Sequence, residues 1–410
     1  MTSPAVDNTT EVGKRAARKR RIRRWLLFGL LPLLVSVLLL EGLARLVGEP
    51  PSQLNLAEDP AALQVEALVN GWVLPPPVRG QIHDCERYIT NVLHGQRPRS
   101  ADGELPTSPQ GFRDTALVTP KPEGQIRILL LGDSSVYGAE ICRLDTLAEQ
   151  LEAGLNEQFP AGLPGGHRKV EVINAGVPGY STYQSLEVLK RALKYELDGI
   201  IVYNMISDWT GPRGAGDDTW FRYWAPVLRV AGHSAAVRWA SHLVTPVVKG
   251  AQEKAVATGY EEKDSNRVKL PNYTDNLHEM VSIARSTDAW IAFVVPPVTR
   301  DIESSDPDKS LVEDYVIATE SQAEALQTRL DEIRVPIREP ADYRATMALI
   351  AWENGSVIID GPALLREAAA NGGKRATGEV DSLMLDSCHP TPLGNRILAR
   401  ALLPRIKDLL

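Results

Sequence analysis

Five short aliphatic runs, each closed by a turn and separated from the next by helical periodicity, constrain this chain more than any other feature. They are 126–132 (IRILLLG), 169–173, 198–204, 289–296 and 355–359. Apolar runs of this length without polar alternation read as strands buried on both faces. Between the first two, 145–158 carries Leu147, Leu151 and Leu155 on one helical stripe. The segment 181–196 opens on a Ser/Thr cap and carries Leu186, Leu189 and Leu193. A last helix is expected over about 392–409, with Leu393, Ile397, Leu398, Ala401 and Leu402. Strands alternating with helices predict an α/β fold: a three-layer α/β/α, flavodoxin-like arrangement around a mostly parallel five-stranded sheet. Ligands of such sheets sit beyond the carboxyl ends of the strands, so chemistry is sought where the runs stop.

Four loops fall at those ends. The first run stops at Gly132-Asp133-Ser134, placing a hydroxyl just past a strand. A serine nucleophile needs a base, and the base needs an orienting group. Of seven histidines, only His389 in "DSCHPTPLGN" has an acid placed to help it locally, Asp386 three residues before. One tight turn lets that carboxylate reach one imidazole nitrogen and leaves the other for Ser134. The second run is followed by "NAGVPGYST", 174–182, whose glycines suit a loop with N–H groups aimed into a cleft. The third is followed by "YNMISDW", with Asn204, Ser207 and Asp208 at the strand's end.

Before this body comes "WLLFGLLPLLVSVLLLEGLARLV", 25–47. Trp25 to Leu40 are uncharged, and residues 1–24 hold eight basic residues against two acidic ones. The length approaches the roughly 30 Å of a bilayer core. No A-x-A cleavage site is evident, so the expectation is one transmembrane helix, an uncleaved signal anchor, rather than a removed signal peptide. Basic residues ahead of the span place the N-terminus in the cytoplasm and the body outside it. The domain reading is therefore 1–24 basic tail, 25–47 anchor, 48–110 linker and rim segment, and 111–410 main domain. The chain carries a net −7 despite its basic start, and an acidic body argues against a nucleic-acid partner. Three cysteines, Cys85, Cys142 and Cys388, are too few for a disulfide scaffold, and their pairing is left open.

Within the main domain an insertion at about 209–285 is far longer than a usual connection. It holds Trp209, Trp220, Phe221, Tyr223, Trp224 and Trp239. These aromatics either pack an extra helical layer or form a lid or substrate wall.

The order and content of the loops resemble the SGNH/GDSL hydrolase superfamily. Its first block matches Gly132-Asp133-Ser134, its N-x-G-x-x-G block matches Asn174, Gly176 and Gly179, and its D-x-x-H-P block matches Asp386, His389 and Pro390. "GFRD", 111–114, ahead of the first strand is similar to the membrane-anchored bacterial branch. The resemblance implies a Ser134–His389–Asp386 triad, with oxyanion donors from the N–H groups of Ser134 and Gly179. The family's G-x-N-D block aligns with Met205-Ile206-Ser207-Asp208, so Ser207 stands where an asparagine is expected, and Asn204 is the alternative amide. A hydroxyl donates one hydrogen bond but is shorter and freer to rotate than an amide. No metal or organic cofactor is called for. The expected activity is cleavage or transfer of an ester-linked acyl group on a cell-envelope glycan or lipid. The competing reading is a non-catalytic envelope protein that binds a glycan or partner on the same fold.

Overall fold

The structure, a computed structural model, describes residues 18–19, 21, 28, 30–48, 50, 60–70, 107–139, 141–158, 169–210, 217–243, 266–299, 320–332, 340–370 and 383–410. In chain order the elements are α1 (Leu31–Val47), α2 (Pro60–Asn70), β1 (Gln125–Gly132), α3 (Ser134–Tyr137), α4 (Leu147–Gln158), β2 (Lys169–Gly176), α5 (Thr182–Ala192), β3 (Gly199–Tyr203), α6 (Ile206–Trp209), α7 (Ala225–Ala231), α8 (Leu270–Ser286), β4 (Trp290–Val295), α9 (Glu320–Glu332), α10 (Pro340–Glu353), β5 (Val357–Asp360), α11 (Gly361–Ala370) and α12 (Pro392–Lys407). A π-helical turn, Trp220–Trp224, leads into α7, and a further helical segment covers 235–243.

All five expected runs are strands. They form one sheet in the order β2-β1-β3-β4-β5, with every pairing parallel. Period-2 alternation divides their side chains between two cores. Leu129, Leu131, Ile173, Val202 and Phe293 face the layer built by α5, α8 and α10. Ile128, Leu130, Val172, Ile201 and Val294 face α4, α11 and α12. The leucines expected on the α4 stripe, Leu147, Leu151 and Leu155, are all buried in that second core, each contributing about 1.5–3 kcal/mol by leaving water. Because β1 has β2 on one side and β3 on the other, the direction of chain progression reverses across it. The crevice of such a sheet opens at the carboxyl end of that strand, where Ser134 lies.

At that end the packing leaves no room for side chains. α3 is a single turn laid across the ends of β1 and β2. A Cβ added at Gly176 would meet the Tyr137 backbone nitrogen at 2.3 Å. One added at Gly132 would meet Val136 Cγ2, also at 2.3 Å. The glycines of the two loop motifs are thus demanded by close approach.

The N-terminal expectations are met only in part. The described helix α1 has 17 residues. Among the described residues no helix is long and apolar enough to cross a membrane. Most of 22–29 lies outside the described residues, so the expected span 25–47 is seen only over its later part. Much of the expected linker and rim, including Cys85, also lies outside them. The rim segment does supply α2, which packs on α5 and α7 and pairs Glu66 with Arg191.

Gly176→Ala is expected to lower stability by about 2 kcal/mol or more, since the obstructing atom is backbone. That corresponds to a fall of roughly 4–8 °C in Tm, read by thermal denaturation monitored by circular dichroism.

Candidate active site

The turn that follows β1 is organised by Asp133. Its Oδ1 accepts the Ser135 N–H at 3.0 Å, capping α3. Its Oδ2 accepts both the N–H of Ser207 at 3.3 Å and the Ser207 hydroxyl at 3.2 Å. The end of β1 is thereby tied to the end of β3. Burial pushes the Asp133 pKa up, against the pull of the Ser135 and Ser207 hydrogen bonds and the charge of His389.

Ser134, first residue of α3, meets the loop before α12. His389 Nε2 lies 2.8 Å from Ser134 Oγ, across 255 positions of sequence. His389 Nδ1 lies 2.6 Å from Asp386 Oδ2. The other carboxylate oxygen, Oδ1, accepts the N–H groups of Cys388 and His389, each at 2.9 Å. The spacing of three residues therefore does what the sequence predicts, because one turn brings the carboxylate under the ring. The loop is pinned from outside as well. Ser135 Oγ donates to the Cys388 carbonyl at 3.0 Å, Leu385 N–H donates to the His389 carbonyl at 2.8 Å, and Thr299 donates its hydroxyl to the Asp386 carbonyl.

The electrostatics of the pair follow from these contacts. For His389, burial opposes charging the ring, but the hydrogen bond to Asp386 and the adjacent Cys388 sulfur outweigh it and raise the pKa to about 10. For Asp386, burial acts upward, and the His389 ring and the two N–H donors overcome it, bringing the pKa down to about 2. The Asp386 side chain remains 44% exposed and that of His389 16%, so solvent screens part of their attraction.

The loop after β2 supports the same turn. Asn174 Nδ2 donates to the Val136 carbonyl at 2.9 Å, and its Oδ1 accepts the Gly176 N–H at 3.1 Å. Gly179 has φ +78°, and its carbonyl accepts Arg267 Nη1 at 2.5 Å. Arg267 also pairs with Asp217 at 3.0 Å, and Asp217 accepts the Ser181 hydroxyl at 2.6 Å. Asp208 Oδ1 accepts the N–H and hydroxyl of Thr182, at 2.9 and 2.6 Å, and burial pushes its pKa up to about 7. Asn204, one residue beyond the Tyr203 that pairs with Gly132, is fully buried, and neither side-chain amide atom has a hydrogen-bond partner among the described residues.

Three features were not read from the sequence. Arg113 is buried and donates to the carbonyls of Tyr137, Gly138 at 2.5 Å and Ile141 at 2.8 Å. Its guanidinium carbon lies 4.4 Å from the Tyr137 ring centroid. A cation there satisfies carbonyls left open at the end of α3. Its signal was the arginine of G-F-R, which only the resemblance singled out. The second feature is the Ser207–Asp133 contact. The third is Cys388, a free thiol whose sulfur lies 3.9 Å from His389 Nδ1. Donor atoms of Asp386, Cys388 and His389 lie within 4.8 Å of one another, a set able to take a metal ion, although His389 Nδ1 and Asp386 Oδ2 already bond each other. Cys142, by contrast, is held in a disulfide.

A carboxylate whose pKa is lowered from 3.8 to about 2 stabilises the fold above about pH 4 and loses that contribution as pH falls toward 2. An imidazole raised from 6.5 to about 10 stabilises it below 6.5 and loses that contribution as pH climbs through 10. The difference in Tm between wild type and His389→Ala is therefore expected to be widest from about pH 4 to 6.5 and to narrow on both sides. A gap that stays the same from about pH 2 to pH 10 would contradict the charged pairing.

No protein-family model matches the sequence, and no curated protein matches it. Solved structures similar to it include LAE5, an α/β hydrolase enzyme from the metagenome of Lake Arreo, Spain, at 14% identity over 70% of this chain and 96% of that one, with a TM-score of 0.38. Axe2, an acetylxylan esterase from Geobacillus stearothermophilus, is similar at 18% identity over 68% of this chain and 94% of that one, with a TM-score of 0.37. At such overlap these likenesses carry no chemistry across, and the site rests on its own geometry.

Proposed function

We propose that this chain is a membrane-anchored serine hydrolase of the SGNH/GDSL type that cleaves or transfers an ester-linked acyl group on a cell-envelope glycan or lipid. The observation that carries the proposal is the continuous line from Ser134 Oγ through the His389 ring to Asp386, with contacts of 2.8 and 2.6 Å. With Nδ1–H donated to Asp386, the Nε2 lone pair faces the Ser134 hydroxyl. Ser134 Oγ then attacks the ester carbonyl carbon as His389 takes its proton. The tetrahedral oxyanion is received by the N–H groups of Ser134 and Gly179. Collapse breaks the C–O bond to the leaving alcohol, which takes the proton back from His389. Water, or an acceptor hydroxyl, resolves the acyl-enzyme by the same route in reverse. Water makes an esterase and a sugar hydroxyl makes an O-acyltransferase.

The third oxyanion donor is the point at which this site departs from its family. The Ser207 hydroxyl is engaged by Asp133, while the Asn204 amide is buried at the same strand end without a partner among the described residues. Asn204 is therefore the donor this reading favours.

Membrane attachment is supported by the character of α1. Leu33, Leu34, Leu38, Leu39, Leu43 and Leu46 are all exposed, on a helix with apolar residues all round. Such a helix is stable in protein interiors or in lipid, not with its leucines in water. The disulfide at Cys142 suits an oxidising compartment outside the cytoplasm.

A fluorophosphonate probe is expected to label the wild type and not Ser134→Ala, with His389→Ala slowed by about 10³-fold or more. Because the reactive ring is neutral and its pKa is raised, labelling should accelerate with pH with a midpoint above 6.5. Asn204→Ala should slow labelling by about 10²-fold if its amide is the third donor. A folded wild type that takes no label would remove the hydrolase reading.

A further inference from the structure

The insertion between α6 and α8 turns an aromatic and aliphatic face outward. Tyr223 is 62% exposed, Trp224 58%, Val227 58% and Val230 77%. Residues 223, 227 and 230 share one side of a helix by i, i+4, i+7 spacing. This face does not belong to a loosely held segment, because the opposite side is packed. Trp220 Nε1 donates to the Val69 carbonyl of α2 at 2.6 Å. Phe221 stacks on Tyr183 of α5, with centroids 4.8 Å apart and planes at 4°. Arg229 pairs with Glu187 at 2.6 Å. A Cβ at Gly232 would already touch Val65 of α2 at 3.2 Å.

The stretch that follows this face, 234–239, meets α1. Glu41 is the first charge after the uncharged stretch Trp25–Leu40, and it lies in the last two turns of the 25–47 anchor, where the span nears the headgroups on the side of the body. Its carboxylate does not end in solvent. It accepts the Ser234 hydroxyl at 2.6 Å and the N–H groups of Ala235 and Ala236 at 3.2 and 3.1 Å. It therefore caps the helical segment 235–243, which follows α7 after the turn at 232–234. Trp239 Nε1 donates to the Gly48 carbonyl just past the end of α1, at 2.8 Å. The insertion is thus fastened at the headgroup level of the anchor. Tyrosine and tryptophan, apolar bodies with one polar end, are the side chains that settle at that level. Arg222, whose guanidinium carbon lies 5.8 Å from the Tyr223 ring centroid, adds a cation suited to anionic headgroups.

We propose that the Tyr223, Trp224, Val227, Val230 face lies in the interfacial layer of the bilayer that α1 enters, so that the insertion is a second, peripheral membrane contact. The proposal rests on the anchor reading above. It gives the aromatics of the insertion a role other than a lid or substrate wall, and it sets the catalytic domain at a fixed orientation to the lipid surface. The connection to the site is short, because Asp217, which accepts Ser181 of the Gly179 loop, begins the same helical stretch. Six residues of helix separate it from Tyr223, about 9 Å of rise.

The test is made on the full chain with Cys388→Ala, in vesicles of phosphatidylcholine and phosphatidylglycerol. A nitroxide is attached at Val227→Cys or Val230→Cys, with Val118→Cys, 60% exposed and ahead of β1, as the reference. Power-saturation spectroscopy then compares access by oxygen, which partitions into lipid, with access by a water-soluble nickel chelate. The expected result is oxygen access exceeding nickel access at 227 and 230, with the order reversed at 118. Labels at 227 and 230 that behave like the one at 118, in vesicles that carry the chain, would overturn the proposal while leaving the anchor intact. Exclusion of both reagents would also overturn it, showing that protein rather than lipid covers the face. A chain that fails to float with the vesicles would remove the anchor reading and this one together.

Discussion

The arrangement depends on a steric condition at the carboxyl ends of β1 and β2, where a four-residue helical turn lies directly on the backbone of two strands. Gly176 sits so close to the Tyr137 nitrogen that a methyl carbon has no place, and Gly132 meets Val136 in the same way. Once the turn is seated, its polar groups have defined partners. Asn174 holds the Val136 carbonyl, Arg113 gathers the carbonyls at its far end, and Asp133 caps its start. Ser134 is thereby held on a turn fixed from three sides, and the imidazole need only approach from the fourth.

Two aspartates at the site show how placement divides labour among like groups. Asp133 is buried and receives the Ser135 N–H at the end of β1 and the N–H and hydroxyl of Ser207 at the end of β3, which makes it a joint between strands. Asp386 keeps nearly half of its side chain in contact with solvent and accepts two backbone N–H groups on one oxygen and the imidazole on the other. Those donors hold its charge, and the charge in turn makes the ring a stronger base than free imidazole. Exchanging the environments would leave the imidazole without a fixed anion and the strand ends without a tie.

The strands and the Asp386–His389 turn were legible because each is decided locally. A run such as IRILLLG is buried whichever sheet it joins, and a carboxylate three residues from a histidine reaches it through one turn. That Ser134 meets His389 was legible only as a pattern of loops at strand ends, since no local signal links positions 255 apart. The orientation of Ser207 was not legible. Its hydroxyl has one proton to give, and the recipient, Asp133, is 74 positions away. Arg113 was hidden for a similar reason. A lone arginine in a proline-broken stretch reads as surface, and only the stacked carbonyls of α3 explain why it is buried.

The insertion is joined to the site by contacts of definite chemistry rather than by loose packing. Arg267, where the chain returns from the insertion, donates to the Gly179 carbonyl and pairs with Asp217. The backbone of Val268 donates to Asp208, which in turn receives Thr182. At its other end the insertion closes on Glu41 and Gly48. The links are a helix cap at Glu41, an ion pair between Arg267 and Asp217, a backbone hydrogen bond from Val268, and side-chain donors to the Gly179 and Gly48 carbonyls. Coupling between distant sites requires an element with two arrangements that both sites bias. The contacts from α1 to the Gly179 loop form a line of hydrogen bonds and one ion pair, which acts as a brace on the position of the Gly179 loop relative to Ser134.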